Sequence, residues 1–572
     1  MNNPRTFLLA ALFALAYLMW SQWQTDYAPK RVVAGTAPAV AAQSAGSATA
    51  ETPHPGEVPH AGELPIADAA PNAVTVPETI ASTSSDLPLI VVTTDVLRVK
   101  IDPRGGSVVS AELLDYPQDP KDKTLAVDLL NTDPTTYFVA QSGLVSGSAA
   151  APDHTQLFSA TQMDYTLPAD SGRIEVPLTW QADGITVRKV FVFERGSYVI
   201  DQQQQISNQS GSDWSGKAYR QLQRVPPHVD TSGIKMVSNT ERYSFIGAAW
   251  YSPQDKFEKR KFEKFSKDPL ERQVTGGWVG MLQHYFFAAW IPPADEVDTF
   301  ATQVVGSGAA TRYLVRATSP TVTVPVGGET TLTSRLYVGP KLQSTLAEVA
   351  PGLELTVDYG IFTVISQPLH WVLAKLHALT GNWGFAIILL VLLIKAAFFK
   401  LSEAQYRSMA KMRKMQPRVA ALKERFGDDK QKVNAAMLDL YKKEKINPLG
   451  GCLPMLVQIP VFFALYWVLL ESVELRQAPF ILWIQNLTAP DPYYVLPVIN
   501  GAAMLATQWI SPMTGMDPMQ AKMMKFMPVI FSVMFAFFPA GLVLYWTVNG
   551  LLSLAQQWII TKRIENEPAA AK

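Results

Sequence analysis

Residues 383–399 read WGFAIILLVLLIKAAFF, an apolar run with one charge, Lys395. A helix needs ~20 such residues to cross a bilayer, so this stretch places the chain among helical membrane proteins. At ~1.5 Å rise per residue, Lys395 lies ~18 Å from Trp383 and ~7.5 Å from Lys400, in the half of the membrane nearer Lys400. A lysine at the centre of a spanning helix costs at least ~2.5–3.5 kcal/mol, so it must reach water, a partner or the interface. Two readings are open. The ammonium snorkels along its four-carbon stem to the headgroups, or it faces a wet cavity inside a helix bundle. Polar residues in the other apolar segments favour the cavity.

Those segments are 7–20 (FLLAALFALAYLMW, after Arg5), 452–470, 493–510, 526–538 and 542–560, giving six spans with 383–399. Only Pro539, Ala540 and Gly541 separate the last two, which reads as a tight helical hairpin. The first segment is either a signal peptide or an uncleaved anchor. No small-residue cleavage site follows it directly, and Trp23 and Tyr27 suit an interface, so the anchor is preferred. The segment 400–445 is dense in Lys and Arg, 471–492 holds only Arg476, and Lys522, Lys525, Lys562 and Arg563 follow later spans. By the excess of cations in cytoplasmic loops, both termini are cytoplasmic and the region between the first two spans lies on the far side. Before the Lys395 run, 361–379 carries Ile365, Leu369, Val372, Leu376 and Leu379 on one face, which fits a helix lying in the interface.

The front half has a different texture. Residues 28–85 are rich in Ala, Pro, Ser and Thr and form a flexible tether, with His54 and His60 solvated inside it. From 87 to 339, short alternating runs such as LIVVTTDVLRVKID and ITVRKVFVF, with turn signals between them, indicate an antiparallel sandwich. No HExxH, GxSxG or P-loop occurs there. His228 and His284 are far apart in sequence, and His284 sits in the apolar pair GGWVGMLQHYFFAAWIPP, where a core or edge role is expected. KFEKRKFEK (256–264) mixes signs and reads as a solvated loop. Cys452 is the only cysteine, which excludes a disulfide framework and a cysteine-based metal site. Lys+Arg and Asp+Glu balance at 49 each, so bulk charge gives no sign of nucleic-acid binding.

Gln458, Asn500, Thr507, Gln508, Thr547, Asn549, Ser553, Gln556 and Gln557 recur at membrane depth. Without partners each would cost free energy in hydrocarbon, so they must face one another or water. They serve either as glue between helices or, with Lys395, as the lining of a hydrated groove open to the cytoplasm. Such a groove lowers the cost of drawing a polar segment part-way into the bilayer, and its cation attracts acidic residues. Met409, Met412 and Met415 recur every three residues, and Met513, Met516, Met519, Met523, Met524 and Met527 crowd a second cytoplasmic loop. Methionine-rich surfaces accept varied apolar partners. The first loop reads as two helices, 402–426 and 430–445, broken at Gly427, with Pro417 kinking or restarting the first.

The runs GNWGFAIILLVLLIKAAFFKLSEAQYRSMAKMRKMQPRV, GDDKQKVNAAMLDLYKKEKINPLGGCLPMLVQIPVFFALYWVL, SVELRQAPFILWIQNLTAPDPYYVLP, MMKFMPVIF and FPAGLVLYWTVNGLLS closely resemble the YidC family of membrane protein insertases. GGWVGMLQHYFFAAWIP and RLYVGPK resemble the periplasmic domain of its Gram-negative members. The resemblance implies a helical membrane protein with six transmembrane helices, five of them forming the insertase core, and an all-β periplasmic supersandwich. It implies this division: anchor 1–27, tether 28–85, β domain 86–345, interfacial helix region 346–382, core 383–562 with a cytoplasmic helical hairpin at 400–450, and tail 563–572. The implied activity is insertion and folding of hydrophobic segments in the inner membrane, alone or with the Sec translocon and its accessory subunits, without nucleotide hydrolysis, cofactor or metal.

The family's groove carries a basic residue, usually arginine, and Lys395 stands at the matching position, which keeps the charge and loses the bidentate fork. The expected groove joins Lys395 and the polar Gln458, Asn500 and Thr547 with a family tyrosine that the resemblance matches to either Tyr545 or Trp546. Docking of nascent membrane proteins falls to Met409, Met412, Met415, Met519 and Met523. The tail TKRIENEPAAAK is short and mixed, so ribosome contact would rest on the two cytoplasmic loops. Two rivals are a secondary transporter using Lys395 as substrate counter-ion and a membrane-tethered carbohydrate enzyme. The spans show no internal repeat for the first, and no placeable carboxylate pair supports the second.

Overall fold

The structure is a computed structural model that describes residues 87–147, 149–227, 244–427, 429–443, 453–510 and 518–566. The 7–20 segment, the tether, His228 and Cys452 lie outside the described residues. The β region runs from Ile90 to Pro340 and folds as a sandwich of an 11-stranded and a 9-stranded sheet. Pairing is antiparallel apart from Ile90–Thr93, which runs parallel to Asp164–Thr166. The alternation read in Leu97–Asp102 is real: Leu97, Val99 and Ile101 point into the core between the sheets. Gly105 and Gly106 take φ of 73° and 58°, as the turn there demands. The expected apolar strand pair is Trp278–Leu282 with Phe286–Ile291, and its turn carries His284. KFEKRKFEK is not a free loop: Lys256–Arg260 is an edge strand, and Lys259 forms an ion pair with Asp358.

Helices follow the sheets. They are α1 (Gln343–Val349), α2 (Thr363–Thr380), α3 (Trp383–Ala397), α4 (Phe399–Lys414), α5 (Gln416–Phe426), α6 (Lys430–Lys443), α7 (Leu453–Glu471), α8 (Val495–Ile510), α9 (Pro518–Phe535) and α10 (Ala540–Asn566). Among the described residues no single helix is long and apolar enough to cross a membrane alone; Trp383–Ala397 and Phe399–Ser408 reach that length together, bent by 64°. Asn382 caps α3 through Oδ1, which accepts from Phe385 N at 3.2 Å. The first loop helix does restart at Pro417: α4 stops at Lys414 and α5 begins at Gln416, where a missing N–H costs nothing. The turn before α10 is held by backbone alone, Ala540 N to Ala489 O at 2.7 Å and Gly541 N to Leu487 O at 2.8 Å.

Helix α2 buries a face beside the apolar one. Its buried residues are Ser366, His370 and Leu373, and the stripe through Leu369, Val372 and Leu376 is only half-buried. Of the polar residues turned inward, Ser366 is hydrogen-bonded, and His370 lies near a carboxylate without a hydrogen bond on Nε2 among the described residues. Ser366 Oγ donates to Ala464 O of α7 at 3.1 Å, and His370 Nε2 lies 3.9 Å from Glu474 Oε1. Val364, Trp371 and Leu379 are left outside.

Polar contacts join the sandwich to the helical region. His284 Nε2–H donates to Leu470 O at 3.0 Å, Ser244 Oγ to Glu471 Oε1 at 2.6 Å, and Arg476 Nη2 to Pro117 O at 2.8 Å. His284 is thus a core histidine; burial pushes its pKa down to about 3. Inside the sandwich, Lys189 crosses from one sheet to the other. Its Nζ donates to Gly105 O at 2.6 Å, Ser142 O at 2.9 Å and Ser142 Oγ at 3.1 Å. Burial pushes this lysine from its ordinary 10.5 down to about 7.

Between those two values the unfolded chain binds a proton that the folded chain does not, so this lysine makes stability rise with pH, by up to ~1.4 kcal/mol per unit. Lys189→Met is expected to remove that contribution. Unfolding of the sandwich, followed by the fluorescence of its buried tryptophans between about pH 8 and about pH 10, checks it: the variant's stability should climb less steeply than that of the unaltered protein.

Candidate functional site

The charged residue of α3 ends up inside the helical region. Lys395 is 9% exposed, and its Nζ donates to Ser553 Oγ of α10 at 2.7 Å. Ser553 in turn donates to Asn549 O at 2.7 Å, and Tyr406 OH of α4 donates to Ser553 O at 3.3 Å. Among the described residues no carboxylate lies within ion-pair distance of Lys395. The ammonium therefore keeps its charge uncompensated, with one hydroxyl as its partner. Three donors and one partner leave capacity for further acceptors.

Position on α10 sorts the polar residues. At ~100° per residue, Trp546, Asn549, Ser553 and Gln556 share one stripe, and Thr547 lies ~100° beyond Trp546. Gln556 Oε1 is buried and has no hydrogen-bond partner among the described residues. Thr547 faces α8: its Oγ1 donates to Leu496 O at 3.2 Å and to Val543 O at 2.8 Å. Asn500 lies on the same seam, its Oδ1 3.5 Å from where a side chain at Gly550 would begin. Both residues are 3% exposed.

An aromatic cluster sits one to two turns from the ammonium. Trp546 stacks on Phe462 of α7 with ring centres 5.3 Å apart and on Phe535 of α9 at 4.1 Å. Tyr545 is buried, 6.1 Å from the Phe462 ring. Trp546 therefore bridges two helices. From Trp546 to Ser553 the axis advances roughly 10 Å, so the ammonium and the ring cluster occupy different levels of α10. Gln458 is half-buried on α7, one turn before Phe462. Helix α9 leaves Phe526, Val529, Ile530 and Val533 exposed at helical spacing, and α7 leaves Ile459 and Phe463 exposed. Apolar stripes this long, open on one side, mark contact with lipid or another apolar chain.

The structure thus gathers Lys395 with Ser553 and Tyr406, places Tyr545 and Trp546 beside Phe462, and sets Asn500 and Thr547 in the α8–α10 seam. Met415 is buried, and Met523 of α9 is exposed. The side chains of Met409, Met412 and Met519 lie outside the described residues. Sequence reasoning did not pair Ser553 with Lys395. The signal was the spacing of Asn549, Ser553 and Gln556, which marks one polar face on an apolar helix. Phe462 and Phe535 carried no signal beyond their apolar character.

Residues 89–372 match the family model of the YidC periplasmic domain, and residues 375–567 match that of the 60Kd inner membrane protein. A protein of Methylococcus capsulatus named membrane protein insertase YidC is 45% identical over 572 residues, covering 100% of both chains. One of the same name from Stenotrophomonas maltophilia is 46% identical over 583 residues, covering 100% of this chain and 98% of its own. Among solved structures, an active YidC insertase with its first transmembrane domain resolved aligns with 82% of this chain and 92% of its own, at 18% identity and a TM-score of 0.36. None of these matches supports a transporter.

Ser553→Ala removes the one hydroxyl that, among the described residues, holds the Lys395 ammonium. Leaving a buried donor unpaired costs ~1–3 kcal/mol, and more for a charged group. The variant is expected to unfold at lower denaturant concentration by at least that equivalent, and Ser553→Thr, which keeps the hydroxyl, is expected to unfold near the original midpoint. Denaturation of the purified protein in detergent measures both.

Proposed function

Because the chain belongs to the YidC family of membrane protein insertases, we propose that it inserts and helps to fold hydrophobic segments of nascent membrane proteins in the inner membrane, through a groove that opens to the cytoplasm. The observation that carries the reading is the buried, uncompensated ammonium of Lys395 beside the polar stripe Asn549, Ser553 and Gln556. A permanently dry ammonium would be expelled or neutralised. Water and an incoming polar flank supply the missing acceptors. The aromatic stack of Phe462, Trp546 and Phe535 closes the level above it, on the far side of the groove.

In this scheme the sequence has six spans, both termini in the cytoplasm and the β domain in the periplasm. The cation-rich segment 400–445 supports that orientation. An arriving segment docks on the methionine-bearing loops at Met409, Met412, Met519 and Met523; Met415, expected among them, is buried and leaves the docking surface. Its polar flank enters beside Lys395 and Gln458, and acidic residues there are drawn by the ammonium. Its apolar part lies along the open stripes of α7 and α9, where Ile459, Phe463, Phe526, Ile530 and Val533 offer a greasy slide. Thr547 holds α10 against α8 as this happens. Transfer into lipid supplies the driving force: each Leu-sized side chain contributes ~1.5–3 kcal/mol, so a few of them exceed the groove's attraction and release the segment. No covalent step and no nucleotide is required. The cytoplasmic loops are also the surface for the ribosome, and the Sec translocon is a partner.

Lys395→Glu is expected to depress insertion of substrates with acidic tails far more than Lys395→Arg does. Reconstituted vesicles with a protease-protection readout measure this, and equal insertion by the original protein and both variants would contradict the groove.

A further inference from the structure

The sandwich carries a cleft lined by none of the groove residues. The outward face of the 9-stranded sheet is covered over part of its area by α1 and the turn after it, where Leu346, Ala350 and Leu353 pack on Phe287, Ala289 and Tyr337. Beyond Ala350 the cover ends and a cavity of about 650 Å³ opens on the same face. That volume falls in the ~300–1,000 Å³ range of small-ligand sites.

The floor of the cleft is a grid of polar side chains set by strand register. Asp201 stands opposite Arg335, Gln203 opposite Thr333, and Arg173 opposite Glu194. These cross-strand neighbours of opposite charge do not neutralise each other. Arg173 pairs with Glu175 instead, and among the described residues the side chains of Asp201, Glu194 and Arg335 make no ion pair or hydrogen bond. Burial and the neighbouring Glu194 push the Asp201 carboxyl up, and Arg335 opposes them. One wall is apolar and stiff, formed by Ile291, Pro293 and Pro351.

We propose that this cleft binds a neutral oligosaccharide across the floor of Asp201, Gln203, Thr333 and Arg335. Charges of both signs alternate there, so neither an anion nor a cation gains a net field. A chain of hydroxyls suits the grid, because each can donate to a carboxylate or an amide oxygen and accept from a guanidinium or an amide N–H. The apolar wall suits the C–H faces of sugar rings. An extended peptide fits less well. The floor is a sheet face whose backbone groups are already used in the ladders, so it offers no free strand edge for augmentation.

The full-length protein in nanodiscs, titrated with chitotriose, cellotriose, maltotriose and a neutral Gly-Ser octapeptide by saturation-transfer NMR, tests this. At least one trisaccharide is expected to bind saturably, with a Kd on the order of 1 mM or tighter. Arg335→Ala and the cleft-filling Thr333→Trp should each weaken that binding by about tenfold or more, with the circular dichroism of the sandwich unchanged. Insertion activity should be the same in both variants. Binding of none of the three sugars, tighter binding of the octapeptide, or sugar binding that neither correctly folded variant weakens would overturn the proposal. It stands apart from the groove, so failure here leaves the insertion reading intact.

Discussion

One ammonium group governs the helical half of this protein. Lys395 lies in an otherwise apolar helix, 2.7 Å from Ser553 Oγ, with no carboxylate beside it among the described residues. Burying such a group without a counter-charge is expensive. The surroundings reduce that expense with one hydroxyl, Ser553 Oγ, which in turn donates to the Asn549 carbonyl, while Tyr406 OH donates to the Ser553 carbonyl. None of these is an anion, so the site keeps a positive field. A salt bridge would have given a quieter structure and an electrostatically inert one.

The rest of the bundle can be understood as what lets that charge persist. Phe462, Trp546 and Phe535 lock α7, α10 and α9 together at a level roughly 10 Å along α10 from Ser553. Thr547 ties α10 to α8 on another face, where Asn500 lies beside Gly550. The β sandwich adds fixed points at the other end of α7, through His284 on Leu470 O and Ser244 on Glu471. The outer stripes of α7 and α9 stay exposed beside these contacts.

Much of this was legible in the sequence. Period-two alternation gave strands such as Leu97–Asp102 their buried face, and the apolar run from Trp278 to Ile291 gave the central strand pair. The unbroken apolar letters of 383–399 located the key helix, and its lone lysine located the site. What stayed hidden depended on contacts distant in sequence. Nothing near Phe398 announces a 64° bend, because neither proline nor glycine is there. The face that α2 buries meets Ala464 and Glu474, which are about a hundred positions away, so its own sequence did not show it. Polar residues at membrane depth looked equivalent in a linear reading. Only the phase of α10 separates Ser553, beside the lysine, from Thr547, in a seam.

The central claim is that position 395 faces water continuous with the cytoplasm. It is tested most directly by placing a single cysteine there, Lys395→Cys in a Cys452→Ser background, and exposing sealed inverted membrane vesicles to a charged, membrane-impermeant maleimide. The account predicts rapid labelling from the cytoplasmic face and none from the opposite face in right-side-out vesicles. Labelling by a lipid-soluble maleimide alone, with the charged reagent excluded from both sides, would contradict it.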